Sequence, residues 1–188
     1  DRLSKAKNIT LDETQEIMQA ILRDADIAPG ERIADFLGPV RMADTWEKVV
    51  SDVVEYVDNA KQEIFFATQY VDMRVVDALL RAAQRDIKMK FLASQDQTVT
   101  ETLRLVLRSL LGHPKVLKFL YEFLNSPKMQ LRYVNVPYTF IVVDGKHSMV
   151  EVAKPFTKDF SLAFFFSNER LSSRLVGNFM TLWEKGSE

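Results

Sequence analysis

Apolar residues recur along this chain with two alternating periods. Trp46, Val49, Val50, Val53, Val54 and Val57 fall at i, i+3, i+4, i+7, i+8 and i+11, one stripe of an amphipathic helix that starts near Asp44, whose carboxylate is placed to cap it. Valine is a weak helix former, so burial must hold this helix together. Residues 63–68 are a short apolar run of strand type. Val75, Val76, Leu79, Leu80 and Ala83 restore helical spacing within residues 72–85, and residues 88–93 read as a second strand with a basic start. A long helical region is predicted over residues 98–125, from Leu103, Val106, Leu107, Leu110 and Leu111 through Val116, Phe119, Leu120, Phe123 and Leu124. Gly112-His113-Pro114 interrupts it, where a kink or a second helix is expected.

After Pro127 the texture changes to short strands, at residues 129–135, 138–143, 149–152 and 161–166. Asp144-Gly145 between two of them is a two-residue hairpin signal. A closing helix begins at Asn168 or Glu169 and carries Leu171, Leu175, Phe179, Leu182 and Trp183. Asn168 serves as its cap and Glu169 as a first-turn acid favourable to the dipole. The expected fold class is α/β, a mixed β-sheet flanked by helices. The first 45 residues read differently. Thr10 and Glu13 form a capping box ahead of Ile17, Ile21 and Leu22, Ala28-Pro29-Gly30 stops that helix, and a short apolar piece follows at residues 33–39. This stretch is too small for its own core, so residues 1–45 are expected to be a helical N-terminal arm and residues 46–188 the main domain.

Composition narrows the chemistry. The 188 residues are 47% hydrophobic and 27% charged, which is globular, and the formal charge of −1 opposes an overall surface built for nucleic-acid phosphates. With no Cys and two His, a Cys-ligated zinc or iron–sulfur site and any disulfide are excluded, and neither metal nor cofactor is expected. No apolar run reaches the ~18–20 residues a membrane helix needs, so no membrane partner and a cytoplasmic location are expected. The chain opens Asp1-Arg2-Leu3, with no Met and no secretory segment, and is expected to come from a longer chain.

Several segments together resemble a phospholipase D-like half-domain over roughly residues 46–185. Val57-x-x-Ala60-x-x-Glu63-Ile64 leads to Thr68-Gln69-Tyr70, then a helix, then Arg85-Asp86-Ile87-Lys88-Met89-Lys90-Phe91-Leu92. Phe140-Ile141-Val142-Val143-Asp144-Gly145-Lys146 resembles the strand that ends the family's H-x-K-x(4)-D motif, and Phe179-Met180-Thr181-Leu182-Trp183 its terminal helix. With Asp144 as the motif aspartate, the position of the family's nucleophilic histidine holds Pro137 and that of its phosphate-holding lysine holds Thr139. Proline has no titratable group and threonine no cation, so the motif is degenerate and no catalytic residue is assigned. Where the family has Gly-Ser-x-Asn, this chain has Val152-Ala153-Lys154-Pro155.

Halves of this kind resemble the effector domains of archaeal winged-helix transcription regulators of the TrmB type. The resemblance implies a non-catalytic sensory or dimerisation domain that forms a homodimer, takes a small-molecule effector, and meets DNA only through a domain outside this chain. Any ligand would sit near the ends of the 129–135 and 138–144 strands, where Asn135, Tyr138, Thr139 and Lys154 are the candidate contacts. Phe164-Phe165-Phe166 puts aromatics on both faces of one strand, which is therefore central in the sheet or part of the dimer interface. Two other functions stay open. One is a phosphodiesterase with an altered nucleophile, His147, against the plain reading of a hairpin-edge histidine; the other is an oligomerisation or docking module that uses the 1–45 arm. His113 reads as a loop residue, and Asp144 has the alternative of only shaping its turn.

Overall fold

The computed structural model describes residues 40–69, 72–94, 126–153 and 160–187, the side chains of residues 153, 160 and 161 aside. The chain falls into two units, Asp1–Phe36 and Leu37–Glu188, and every described residue belongs to the second. The helix expected after Thr10, the piece at 33–39, the helical region at 98–125 with His113, and Lys154 lie outside the described residues.

Seven strands form one mixed sheet, β1 (Val40–Ala43), β2 (Glu63–Thr68), β3 (Lys88–Ser94), β4 (Met129–Val134), β5 (Phe140–Val143), β6 (His147–Ala153) and β7 (Phe160–Ser167), in the order β1-β7-β6-β5-β2-β3-β4. β2, β3 and β4 are parallel to one another; every other pairing is antiparallel. The described helices are α1 (Trp46–Asp58), α2 (Met73–Gln84) and α3 (Glu169–Lys185). β1 was not expected. It lies within the stretch read from the sequence as an arm, and pairs along its length with β7.

Each helix starts where its sequence provides a stop for the preceding chain. Asp72 caps α2 by accepting from the Arg74 amide at 2.9 Å, and Asn168 caps α3 by accepting from the Leu171 amide at 3.0 Å. The cap of α1 is Thr45 rather than Asp44, and its side chain makes no capping hydrogen bond. Burial supplies what the valines lack in propensity, since Val49, Val50, Val53 and Val57 all face the core.

The helices cover both faces of the sheet. On one face α1 and α2 pack over Ile64 and Phe66, Met89 and Phe91, Ile141 and Val143, Met149 and Phe165. On the other, Phe179 of α3 meets the rings of Phe65 and Phe140 edge-on at 5.4 and 6.3 Å and stacks on Trp183 at 5.8 Å. Lys90 and Arg132 reach the same Trp183 from β3 and β4, with Nζ 5.2 Å and Cζ 4.8 Å from the ring. Phe164, Phe165 and Phe166 are at most 4% exposed, so both sides of that aromatic run are core. Phe165 faces α1, under the Arg41 guanidinium at 4.7 Å and edge-on to Tyr56 at 5.5 Å, while its two neighbours face the other way.

At one end of the sheet the β5–β6 connection is fastened by Asp144. Val143–Lys146 is a hairpin turn closed by the Lys146 amide on the Val143 carbonyl at 3.1 Å. Asp144 and Gly145 both take left-handed backbone, φ 52° and 63°, as a type I′ turn requires. The Asp144 carboxylate also accepts from the amides of Lys61, Gln62 and Glu63 at 2.9, 2.8 and 3.1 Å, which ties the hairpin to the loop between α1 and β2. The residue does more than shape its own turn. Asp144→Ala is expected to lose about 2–3 kcal/mol of unfolding free energy, with Asp144→Asn intermediate because it keeps the turn but not the charge. Urea denaturation of the three proteins measures this.

Candidate functional site

The opposite end of the sheet is where β2, β3 and β4 reach their carboxyl ends. From β2 the chain runs outward to β3 and β4, while β5 lies on the other flank of β2, so strand order reverses between β2 and β5. In open α/β sheets a crevice opens outside the strand ends at such a point, which is the usual ligand position. Helices α1 and α2 both begin here, α1 directly after β1 and α2 directly after β2. The Trp46 indole N–H of α1 donates to the Asp72 carboxylate at the head of α2, 3.2 Å away. Hydrogen bonds from Arg74 hold the Asp72 carboxyl below the usual carboxylate range.

The two positions read from the sequence as a degenerate motif, Thr139 and Pro137, both bond to Gln69. Thr139 is 3% exposed, and its hydroxyl oxygen accepts from the Gln69 amide at 3.2 Å. Gln69 Nε2 donates to the carbonyls of Val136 and Pro137 at 2.8 and 3.2 Å. Gln69 thus bridges the end of β2 to the segment entering β5. Pro137 and Asn135 are exposed on that segment, and Tyr138 is half-buried with its ring 5.4 Å from that of Phe140. The structure thus brings Asn135, Pro137, Tyr138 and Thr139 to one sheet end, whereas Lys154 is outside the described residues and Asp144 is at the far end. His147 is also at the far end, opposite Val143, with Nδ1 3.0 Å from the Ser167 hydroxyl and its ring 5.4 Å from that of Tyr56.

One residue at this end escaped the sequence reading. Glu151 of β6 is 3% exposed, and neither carboxylate oxygen has a hydrogen-bond partner. Its backbone N–H donates to the Thr139 carbonyl at 2.9 Å, and across β7 it faces Ala163. Burial alone pushes its carboxyl up to about 8. A polar group so perturbed at a sheet's carboxyl end is a functional-site candidate. The available signal was an acid inside Met149-Val150-Glu151-Val152-Ala153, a run apolar on both strand faces.

Register places Glu151 in a row that crosses the sheet on the α1 side. Ala43, Ala163 and Glu151 lie abreast on β1, β7 and β6, Thr139 and Thr68 continue on β5 and β2, and Ala93 follows on β3. All six are buried. Chemically, this end offers hydroxyls, amide groups and one carboxyl that burial pushes well above the usual carboxylate range. Among the described residues no group of three or more His, Cys, Asp or Glu is placed to hold a metal ion.

Comparisons with known proteins agree with the architecture. Residues 39–188 match the family described as Transcriptional regulator TrmB, EBD N-terminal subdomain. No curated protein matches the chain in sequence. Among solved structures the chain is similar to TrmBL2, an archaeal chromatin protein whose structure shows a novel mode of DNA binding, with 16% identity, TM-score 0.59 and coverage of 94% of this chain and 61% of that one. The chain therefore spans about three fifths of the length of TrmBL2. It is similar in fold to Nuc, a phospholipase D family member from Salmonella typhimurium, with 14% identity, TM-score 0.56 and coverage of 79% and 96%. NucT from Helicobacter pylori gives 9% identity, TM-score 0.56 and coverage of 79% and 97%.

The Glu151 carboxyl makes stability depend on pH. Its folded value of about 8 stands above the ordinary 4.5, so between these values the folded chain keeps a proton that the unfolded chain has lost. Stability must then fall as pH rises through that window. Glu151→Gln removes the titrating group without changing its size. The variant is expected to melt above the wild type at about pH 8, with the gap closing toward about pH 5, in a series of thermal melts.

Proposed function

The chain belongs to the family of the EBD N-terminal subdomain of the transcriptional regulator TrmB, and from that premise we propose that it is a non-catalytic sensory and dimerising domain of an archaeal regulator of this type. The carrying observation is the use made of Pro137 and Thr139. The positions that correspond to the nucleophile and the phosphate-holding cation of phospholipase D-like enzymes here receive hydrogen bonds from Gln69, through the Pro137 carbonyl and the Thr139 hydroxyl. Neither supplies a nucleophile activated by a base, nor a cation to hold a phosphoryl oxygen. His147, the alternative nucleophile, is at the far end of the sheet, bonded to Ser167.

In this reading a small effector sits at the carboxyl end of the sheet, against Thr139, Tyr138 and Asn135. Binding there is read out by a part of the regulator outside these 188 residues, in the cytoplasm, where the DNA is. TrmBL2 is described as binding DNA, and the chain covers 61% of it, which supports assigning DNA contact to another part. No described helix is long and apolar enough to cross a membrane. The homodimer remains part of the proposal on a different surface from the aromatic run first considered. Val40 and Met42 of β1, the outermost strand, are 39% and 51% exposed, and an apolar edge strand of this kind suits pairing with a second copy.

The full chain is expected to leave bis(p-nitrophenyl) phosphate intact, with or without added divalent metals. Hydrolysis that disappears in His147→Ala would overturn the non-catalytic reading. Thr139→Val and Tyr138→Phe are each expected to weaken any effector found by thermal-shift screening about tenfold, the loss of one hydrogen bond, as titration calorimetry would show. Light scattering is expected to return twice the 21.7 kDa protomer mass; a monomer removes the dimer.

A further inference from the structure

The row through Glu151 combines small side chains with a carboxyl group that has nothing to bond to. Nearly all buried polar groups in native structures are paired, and leaving one unpaired costs free energy. The cations of β1, α1 and α2 on this side have other partners, Lys48 on the Met42 carbonyl. Arg41 is held by Asp52, Arg74 by Asp72 and Glu47, and Arg81 by Asp58. Lys90 and Arg132 project from the other face against Trp183. Asp44, next to Ala43, is exposed, and Tyr133 closes the β4 end of the row, opposite Ala93. Neither oxygen of the Glu151 carboxylate has a hydrogen-bond partner.

Ala43 and Ala163 on one side and Ala93 on the other flank the polar positions with small, buried side chains. One carboxyl and two hydroxyls are too few hard oxygens for Mg²⁺ or Ca²⁺, which take about six or more. An organic cation needs less, because a single carboxylate satisfies two of its N–H groups and its carbon stem suits an apolar wall.

We propose that the row centred on Glu151 is the recognition subsite for a small organic cation of the ammonium or amidinium class, with Glu151 accepting its N–H groups and Thr139 and Thr68 beside it. The proposal rests on the effector-domain reading and gives that effector a chemical class. On binding, the neutral carboxyl passes its proton to solvent and the resulting carboxylate takes the cation, so that up to one proton leaves for each cation bound.

The test is titration calorimetry of the full chain with propylammonium, benzamidinium and agmatine, in two buffers of different ionisation heat at about neutral pH. At least one cation is expected to bind with release of close to one proton. In Glu151→Gln, confirmed folded by circular dichroism, its affinity is expected to drop at least about tenfold and the proton release to vanish. Thr139→Val, a second variant, is expected to weaken the same cation. Binding without proton release, equal binding to Glu151→Gln, or no binding by any of the three overturns the proposal. A neutral compound such as glycerol whose binding depends on Thr139 and ignores Glu151→Gln also overturns the cation assignment, while leaving the effector-domain reading standing. Failure of that broader reading shows separately, as phosphodiester hydrolysis by the wild-type chain.

Discussion

The sheet of this domain is covered on both faces, and most of its other features follow from that constraint. With α1 and α2 on one side and α3 on the other, interior strand positions of either parity meet apolar side chains. This is why β5 reads Phe140-Ile141-Val142-Val143 without alternation and why β7 holds three successive phenylalanines. Polar chemistry is pressed to the two ends, and the ends differ. At one, Asp144 gathers three backbone amides and fastens a hairpin to a loop. At the other, Gln69 and Thr139 close the gap at which strand order reverses.

Fixed in this way, the residues read from the sequence as a degenerate motif each have a structural use. Asp144 serves the backbone, and that role is independent of whether the far end does chemistry. Here Thr139 is buried and spends its acceptor on the Gln69 amide, while the Pro137 carbonyl takes the Gln69 side chain. In this chain the Gln69 contacts at Pro137 and Thr139 join the end of β2 to the segment entering β5.

The sequence made the locally specified parts legible. α1, α2 and α3 each carry one apolar stripe, and the last two carry a side-chain cap as well, so their limits came within a residue or two. The strands after Pro127 were legible for the same reason, with Asp144-Gly145 marking the hairpin. β1 was not, because only Ala43 of its four residues is buried and its partner β7 lies at the other end of the domain in sequence. The candidate contacts Tyr138 and Thr139 came from motif position, but the role of Gln69 depends on a non-local approach of β2 to β5. Glu151 was missed for a related reason. A lone acid in a strand reads as solvent-facing until register shows that β6 lies between β5 and β7 with both faces covered.

That burial has a consequence for how a site at this end would act. A ligand can shift a protein between states only by binding one of them better, so a sensory domain needs a group whose energy changes on occupancy. Among the described residues Glu151 is such a group. Its two oxygens are buried without a hydrogen-bond partner, and a cation bound there would restore its charge and both hydrogen bonds. The difference returns as stability of the folded domain by mass action. The Glu151 row runs across β1, β7, β6, β5, β2 and β3. A residue that weakens the unliganded domain is, in this arrangement, the one that makes its state depend on the ligand.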